Sequence, residues 1–184
     1  MSLFIHEWGP SDAPRVVCLH GITAHGRHFA RLAEALPELH VVAPDLLGHG
    51  SSPYEPPWSI EDHLEAIVET IGVEPGMLLG HSFGGRLALE LAARHPELAN
   101  RLILLDPAIL IPPNVALTAA ENARKERAYV SFAEGIDRRF EESQLHRAPR
   151  ALVEEELAVH LVVDDDGLYR YRYSQAAVVA AYGE

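Results

Sequence analysis

The sequence Gly-His-Ser-Phe-Gly-Gly at residues 80–85 indicates most directly how this chain folds. A short apolar run at residues 77–79 precedes it, and a helical pattern over residues 84–95 follows it. A G-x-S-x-G sequence between a strand and a helix is typical of a sharp turn that holds its serine exposed, because glycines let the backbone double back without a collision. The serine, Ser82, would lie near the N-terminus of the helix, whose dipole favours developing negative charge. This setting predicts that Ser82 is a nucleophile.

Further strands and helices alternate on both sides of this turn. Strands are predicted at residues 3–8, 15–19, 40–43, 77–79 and 102–105. Four of these five are short apolar runs, the kind that is buried on both faces of a parallel sheet. Amphipathic segments between the runs predict helices on both faces of that sheet. The fold class is therefore α/β, with a doubly wound, mostly parallel sheet.

Polar residues mark the predicted starts of several helices. Ser59 and Asp62 resemble a capping box, in which two side chains satisfy the first free amides of a helix. Thr118 and Glu121 form a second candidate box, at the start of a polar helix. Ser174 is predicted to cap an alanine- and valine-rich helix that runs to the end of the sequence.

The carboxyl ends of parallel strands are where ligands bind in such sheets, so the residues that follow each strand are the candidate site. His20, Gly21 and Ile22 come directly after the second predicted strand. An acyl-transfer serine needs two backbone donors for its oxyanion, and the amides of Ile22 and Phe83 are predicted to supply them. His20, Gly21 and His81 are candidate substrate contacts. A hydrogen-bonded structural histidine is the alternative interpretation of His20.

Two acids also follow strands. Asp45 is predicted to tie down the glycine-rich loop at residues 46–53 rather than to act on a substrate. His49, inside that loop, is predicted to be structural as well. Asp106 follows the last apolar strand and is a candidate acid that orients a catalytic histidine, with a local turn or helix cap as the alternative.

Taken together, these stretches resemble the α/β-hydrolase fold superfamily, in its cap-bearing branch of esterases, lactonases, C–C hydrolases and epoxide hydrolases. The matching stretches occur in the family's order, at residues 16–21, 43–52, 80–85 and 102–107. The resemblance implies Ser82 as the nucleophile, with the backbone of Ile22 and Phe83 as the oxyanion hole. A serine at this position argues against the epoxide hydrolase and haloalkane dehalogenase members, which use an aspartate.

The second part of the chain departs from that order of serine, acid and histidine. We expect residues 1–110 to form the N-terminal part of a hydrolase core and residues 111–184 to form a mostly helical cap. The last strands of the sheet, with the catalytic histidine and acid, are then expected outside these 184 residues. Only His146 and His160 follow Asp106, so a self-sufficient triad, the alternative, needs Asp106 and one of those two histidines.

The strand at residues 102–105, Leu-Ile-Leu-Leu, would then form an edge of the sheet. An apolar edge without a charged residue is a template for pairing with another chain. We therefore expect a C-terminal piece, a second polypeptide or a neighbouring copy to cover it.

Composition excludes several classes of partner. The net charge is −12, from 27 acidic and 15 basic residues, which disfavours nucleic acid and anionic membranes. No apolar run is long enough to span a bilayer, and no secretory signal is recognisable. Cys18 is the single cysteine, which excludes an intramolecular disulfide and fits a cytoplasmic protein. The acidic turn at residues 164–167 lacks the spacing of a calcium loop, so neither a metal nor an organic cofactor is predicted.

The sequence therefore favours a serine hydrolase that acts on an ester, lactone or related carbonyl of a small to medium, hydrophobic substrate. A non-catalytic ligand-binding protein, or an inactive fragment on the same fold, is the competing hypothesis.

Overall fold

A computed structural model describes residues 1–142 and 147–184. The described residues form two compact units. The first comprises Met1–Arg124 together with Tyr173–Glu184, and the second comprises Lys125–Arg172. His146, one of the two histidines named for a self-sufficient triad, lies outside the described residues.

Five strands form the sheet of the first unit. They are β1 (Ile5–Trp8), β2 (Arg15–Leu19), β3 (His40–Pro44), β4 (Gly76–His81) and β5 (Ala99–Leu105). Their order across the sheet is β1-β3-β2-β4-β5, with β1 antiparallel to β3 and every other pair parallel. The predicted mostly parallel sheet is thus confirmed, and each predicted strand is present within a few residues of its expected bounds.

Seven helices are present in the described part of the chain. They are α1 (Ala30–Ala35), α2 (Ile60–Ile71), α3 (Phe83–Arg94), α4 (Pro113–Ala123), α5 (Phe132–Glu142), α6 (Arg150–His160) and α7 (Gln175–Ala181). A short 3-10 helix, Gly26–Phe29, leads into α1, and a second, Pro96–Leu98, follows α3.

Both faces of the sheet are covered by helices. Successive residues of each strand point to opposite faces, so alternate residues join different apolar clusters. In β2, Val17 and Leu19 join the larger apolar cluster, which includes the buried faces of α2 and α3. Val16 and Cys18 join a smaller cluster, which includes Phe29 and Ala33 at the start of α1. This alternation explains why the central strands are apolar on every residue, as a doubly wound sheet requires.

Two of the three predicted helix caps are present. The Ser59 side chain accepts a hydrogen bond from the Asp62 amide at 3.2 Å, and the Asp62 carboxylate accepts one from the Ser59 amide at 2.9 Å. Ser174 accepts from the Ala177 amide and starts α7. The predicted box at Thr118 is wrong. Helix α4 begins earlier, at Pro113, so Thr118 lies within the helix and its hydroxyl donates to the Asn114 carbonyl.

The second unit has its own small core. It packs α5 and α6 on a three-stranded antiparallel sheet of β6 (Ala128–Tyr129), β7 (Leu161–Val163) and β8 (Tyr169–Tyr171), in the order β6-β8-β7. Tyr129, Ile136, Val153 and Leu157 are buried in its centre. The acidic turn at residues 164–167 is closed by the Gly167 amide, which donates to the Asp164 carbonyl, and β8 follows it.

Strand β5 is at the edge of the five-stranded sheet, as expected. Leu102 and Leu104 pack against the larger core cluster, whereas Ile103 and Leu105 remain 39% and 47% exposed. Among the helices in the described ranges, none combines the length and the apolar character that a membrane crossing needs.

Candidate active site

Ser82 occupies the tight turn between β4 and α3. Its backbone has φ 51° and ψ −118°, a conformation that non-glycine residues rarely adopt. The end of β5 holds the turn in place, because the Ser82 amide donates to the Leu105 carbonyl at 3.0 Å. The Ser82 carbonyl in turn accepts from the amides of Arg86 at 3.1 Å and Ala108 at 3.0 Å. These bonds fix a strained backbone of the kind that clusters at functional sites.

The glycines on either side of Ser82 are required by close backbone contacts. A Cβ atom on Gly80 would lie 2.6 Å from the carbonyl carbon of Gly84, and one on Gly84 would lie 2.5 Å from that of Leu19. Both separations are far inside van der Waals contact. The spacing of the two glycines therefore follows from the packing of β4, α3 and the end of β2.

The loop after β2 lies against the turn. A Cβ atom on Gly21 would lie 3.2 Å from the Cβ of Ser82 and 2.9 Å from Nδ1 of His81. The structure thus brings together Gly21, Ile22, His81, Ser82 and Phe83, which the sequence placed in two stretches some 60 residues apart. Ile22 is half-buried beside the larger core cluster.

His20 is fully buried and uses both of its ring nitrogens inside the protein. The Leu46 amide donates to Nε2 at 2.9 Å, so the ring proton is on Nδ1, which donates to the Gly21 carbonyl at 2.8 Å. Burial, followed by the nearby His49, holds the pKa of His20 well below its usual value. A neutral His20 thus joins the loop after β3 to the loop that carries Gly21 and Ile22.

Asp45 organises the glycine-rich loop that follows β3. Its carboxylate accepts hydrogen bonds from the Gly26 amide at 2.7 Å, the Ser51 amide at 2.8 Å and Nε2 of His6 at 3.1 Å. Burial alone would raise its pKa, but these hydrogen bonds outweigh burial and lower the pKa to about 2. The geometry matches the expected role of Asp45 in tying down this loop.

Two more histidines, His63 and His49, are buried in the first unit. His63, on α2, places its ring 5.3 Å from that of Phe83, at 78° to it. His49 lies in the glycine-rich loop, and its ring centroid is 5.2 Å from that of His20. Burial is the main cause that lowers the pKa of His49 to about 4 and that of His63 to about 3. Both rings are therefore neutral near pH 7. Sequence reasoning did not single out His63, although its helical spacing with Leu64 and Ile67 places it on the buried face of α2.

Asp106 and His81 are both exposed, at the carboxyl ends of β5 and β4. Asp106 has φ 45°, so the chain turns sharply directly after β5. Partial burial and the nearby His28 lower the pKa of His81, and the charge of Asp106 opposes them. The two side chains thus interact electrostatically at the edge of the candidate site.

In the ranges 1–142 and 147–184, the Ser82 hydroxyl has no hydrogen-bond partner. His160, the remaining triad candidate, is buried within the second unit, where its ring lies 5.1 Å from that of Tyr171. The described residues therefore present the Ser82 turn without a histidine bonded to the serine.

A cavity of about 260 Å³ lies next to the turn in the first unit. Phe83 and Arg86 line it from α3, and Ile60 lines it from the start of α2. Apolar side chains of the segment after β5, including Leu110 and Ile111, form another wall. Arg86, Tyr182 and Glu184 add polar groups to the lining, so the cavity is mixed in polarity, and it adjoins the residue that follows Ser82.

The sequence matches the family described as alpha/beta hydrolase fold over residues 14–174. The chain belongs to this family. The matched range contains strands β2 to β5 and the Ser82 turn, and several relatives of the chain are named lipase, esterase or hydrolase.

Three similar proteins illustrate the relationship. Lipase LipV of Mycobacterium tuberculosis is 37% identical over 187 residues, which cover all of this chain and 71% of the lipase. The pimeloyl-[acyl-carrier protein] methyl ester esterase of Chromobacterium violaceum is 33% identical, over 78% of this chain and 54% of the esterase. The crystal structure of an esterase from a marine microorganism superposes with a TM-score of 0.74 and 25% identity, over 98% of this chain and 72% of that one. The chain of 184 residues thus spans only part of the length of each of these three relatives.

Proposed function

We propose that this alpha/beta hydrolase is a serine esterase in which Ser82 attacks the carbonyl carbon of an ester, lactone or related substrate. The observation that carries the proposal is the backbone of Ser82, which is held at φ 51° at the carboxyl end of β4. A strained turn of this kind exposes its side chain at the carboxyl ends of the strands, next to the N-terminus of helix α3.

The amides of Ile22 and Phe83 are the proposed oxyanion hole. Attack by the Ser82 oxygen forms a tetrahedral intermediate whose oxygen carries negative charge, and fixed N–H donors stabilise that charge more than they stabilise the substrate. The contact of Gly21 with Ser82 supports this assignment, because it brings the Ile22 loop beside the serine. His20 then has a positioning role, since its bond to the Gly21 carbonyl holds the loop in place.

A histidine must take the proton of the Ser82 hydroxyl and give it to the leaving group, and an acid must orient that histidine. We assign both groups to a polypeptide segment outside these 184 residues. The exposed edge of β5 supports this, because Ile103 and Leu105 are apolar and uncovered beside the turn that carries Asp106. A segment that pairs with β5 would end close to Ser82.

The substrate is proposed to carry a small to medium, hydrophobic acyl group. The cavity of about 260 Å³ next to Phe83 supports this size, and Ile60, Phe83 and Leu110 give it an apolar wall. The relatives named lipase and esterase act, by those names, on carboxylic esters, which is the same bond class. The unit Lys125–Arg172 is the proposed cap of the enzyme.

The test is ester hydrolysis by the natural protein that carries this sequence, with p-nitrophenyl butyrate as substrate. Ser82→Ala is expected to lower kcat by at least about 10³-fold and to abolish labelling by a fluorophosphonate. Ser11→Ala, at an exposed turn, is the matched control and should leave both unchanged. Full activity in Ser82→Ala, with the protein folded by circular dichroism, would overturn the proposal.

A denaturing intact mass of the same material tests the origin of the histidine and acid. A longer chain, or a second polypeptide beside the 20.3 kDa species, is the expected result. An active protein that consists of the 20.3 kDa species alone would place the base within these 184 residues and contradict this part of the proposal.

A non-catalytic ligand-binding protein is the second candidate. The observation that favours it is the Ser82 hydroxyl, which has no hydrogen-bonded histidine in the part of the chain that the structure describes. Rapid fluorophosphonate labelling of Ser82 in the natural protein would exclude this candidate, because that reaction needs an activated serine.

A further inference from the structure

We propose that His6, His25 and Asp45 form a binding site for a divalent transition-metal ion of the zinc class. The ligand atoms that these three side chains offer all lie within 4.8 Å of one another. His25 and Asp45 are buried, at 5% and 1% exposure, and the side chain of His6 is 19% exposed. The site is therefore enclosed on one side and open to solvent through His6.

Three separate segments supply the ligands. His6 is in β1, His25 comes directly before the 3-10 helix that starts at Gly26, and Asp45 follows β3. The residues are 19 and 20 positions apart, so they form no metal-binding motif in the sequence. The fold brings them together because β1 pairs with β3 and the Gly26 amide bonds to the Asp45 carboxylate.

The donor set fits the chemistry of zinc. Two imidazoles and one carboxylate are a common set for zinc, and with three protein ligands a fourth position remains for water. Bond lengths of about 2.0–2.2 Å require ligand atoms roughly 3.4 Å apart in a tetrahedral site. The His6 Nε2 to Asp45 Oδ1 distance is already 3.1 Å. The remaining separations are at most 4.8 Å, so the imidazole side chains must rotate to bring the ligand atoms to the tetrahedral spacing.

Asp45 retains the capacity to bind a cation. Its Oδ1 accepts from the Gly26 amide and from His6, and its Oδ2 accepts from the Ser51 amide. An ionised carboxylate oxygen has two lone-pair positions, and the Oδ1 position that accepts from His6 is released to the ion when His6 becomes a ligand. In that step the His6 proton moves from Nε2 to Nδ1, and Nε2 binds the metal.

The groups around the carboxylate would act as the outer shell of the site. Ligating carboxylates are normally held by hydrogen bonds, and the amides of Gly26 and Ser51 provide them here. The ring of Trp8 stacks on that of His6 at 5.9 Å between centroids. A paramagnetic ion at the site would therefore quench the fluorescence of Trp8.

The experiment uses the natural protein after dialysis against EDTA, with Co²⁺ as a spectroscopic probe. One equivalent of Co²⁺ is expected to give the visible absorption bands of a four-coordinate site and to quench tryptophan emission, and Zn²⁺ is expected to displace it. His6→Gln and His25→Gln are each expected to weaken binding at least tenfold. Gln is close in size to His, and its amide can still bond to Asp45.

His95→Gln is the matched control, because His95 is a surface histidine beside an acid, Glu97, at 3.3 Å. This variant should bind Co²⁺ as the unaltered protein does. Thermal unfolding adds a second readout. Zn²⁺ should raise Tm in the unaltered protein and in the control variant but not in the two site variants, because it joins three segments of the folded state. Equal affinity in all four proteins, or no binding at millimolar Co²⁺, would refute the site.

Discussion

Gly21 lies so close to Ser82 that a Cβ atom on the glycine would be 3.2 Å from the Cβ of the serine. This contact joins the end of β2 to the turn after β4, and it leaves little tolerance for movement of the loop that carries Ile22. The distance between the Ser82 oxygen and the proposed Ile22 donor is therefore set by the absence of a side chain at residue 21.

Gly21→Ala should consequently impair catalysis more than stability. The added methyl group would press on His81 and Ser82 and displace the Ile22 amide, and the loss of one oxyanion donor costs about 10²–10³ in kcat. We expect kcat for p-nitrophenyl butyrate to fall at least tenfold while the urea midpoint changes little. Gly183→Ala, near the end of the chain, is the control, and an equal loss of activity there would contradict the explanation.

Ser82→Gly should be more stable than Ser82→Ala, by about 1 kcal/mol, although both variants are expected to be inactive. The backbone at φ 51° and ψ −118° is strained for any residue with a Cβ, and glycine relieves that strain. Urea unfolding of the two variants measures the difference directly.

Ser11 supplies the comparison for this pair, because it lies in an exposed turn and has no positive φ. At residue 11 the glycine variant should be no more stable than the alanine variant, since glycine there only increases the entropy of the unfolded chain. The same order at both positions would show that strain at Ser82 is not the cause.

Gly84→Ala should be far more damaging than Gly85→Ala. The new Cβ at residue 84 would lie 2.5 Å from the backbone of Leu19, whereas at residue 85 it would lie 2.9 Å from the side chain of Pro107. We expect a loss of about 3 kcal/mol or more for Gly84→Ala and about 1 kcal/mol for Gly85→Ala. Chemical unfolding checks the order, and similar losses would argue against the close packing of α3 on β2.

His63→Leu should make the protein more resistant to acid. The pKa of His63 is about 3 in the folded protein, chiefly through burial, with His49 lowering it further and Asp62 raising it. Its value in the unfolded chain is near 6.5, so between these two limits the unfolded state binds the extra proton. Stability from this residue is complete above about pH 6.5 and is lost as the pH falls. At pH 5 the loss is about 2 kcal/mol, and the leucine variant should avoid it.

The measurement is urea unfolding at pH 7.5 and pH 5 in each protein. His95→Leu is the control, because that ring is partly exposed and its replacement should leave the pH dependence unchanged. A pH dependence in His63→Leu equal to that of the unaltered protein would mean that His63 is protonated in the folded state.

Local signals account for most of what could be predicted. The Ser59 and Asp62 box, the strands of the first unit and the G-x-S-x-G sequence around Ser82 are patterns among neighbouring residues, so they can be recognised in the sequence. Thr118 was misleading for the same reason, because the helix starts more than one turn earlier at Pro113, and a proline at the first helical position is the start signal that applies here. A threonine with an acid three residues later also occurs inside helices.

The remaining features depend on contacts between distant segments. Strand β7 is only three residues long and gains its order from pairing with β8, so it has no pattern of its own. The approach of His6 and His25 to Asp45 likewise follows from the pairing of β1 with β3. Side chains that meet only through such pairing have no characteristic spacing in the sequence, so they could not be predicted from it.

The path of the chain through its two units has an evolutionary consequence. It leaves the first unit after Arg124 and re-enters it at Tyr173, and the helices on either side of this excursion, α4 and α7, pack against each other. An inserted module with both ends anchored on one helix pair can be lengthened, shortened or replaced by a foreign one, while the strands of the first unit keep their register. If this module is the cap of the proposed esterase, its exchange changes the substrate preference without a change to the turn that holds Ser82.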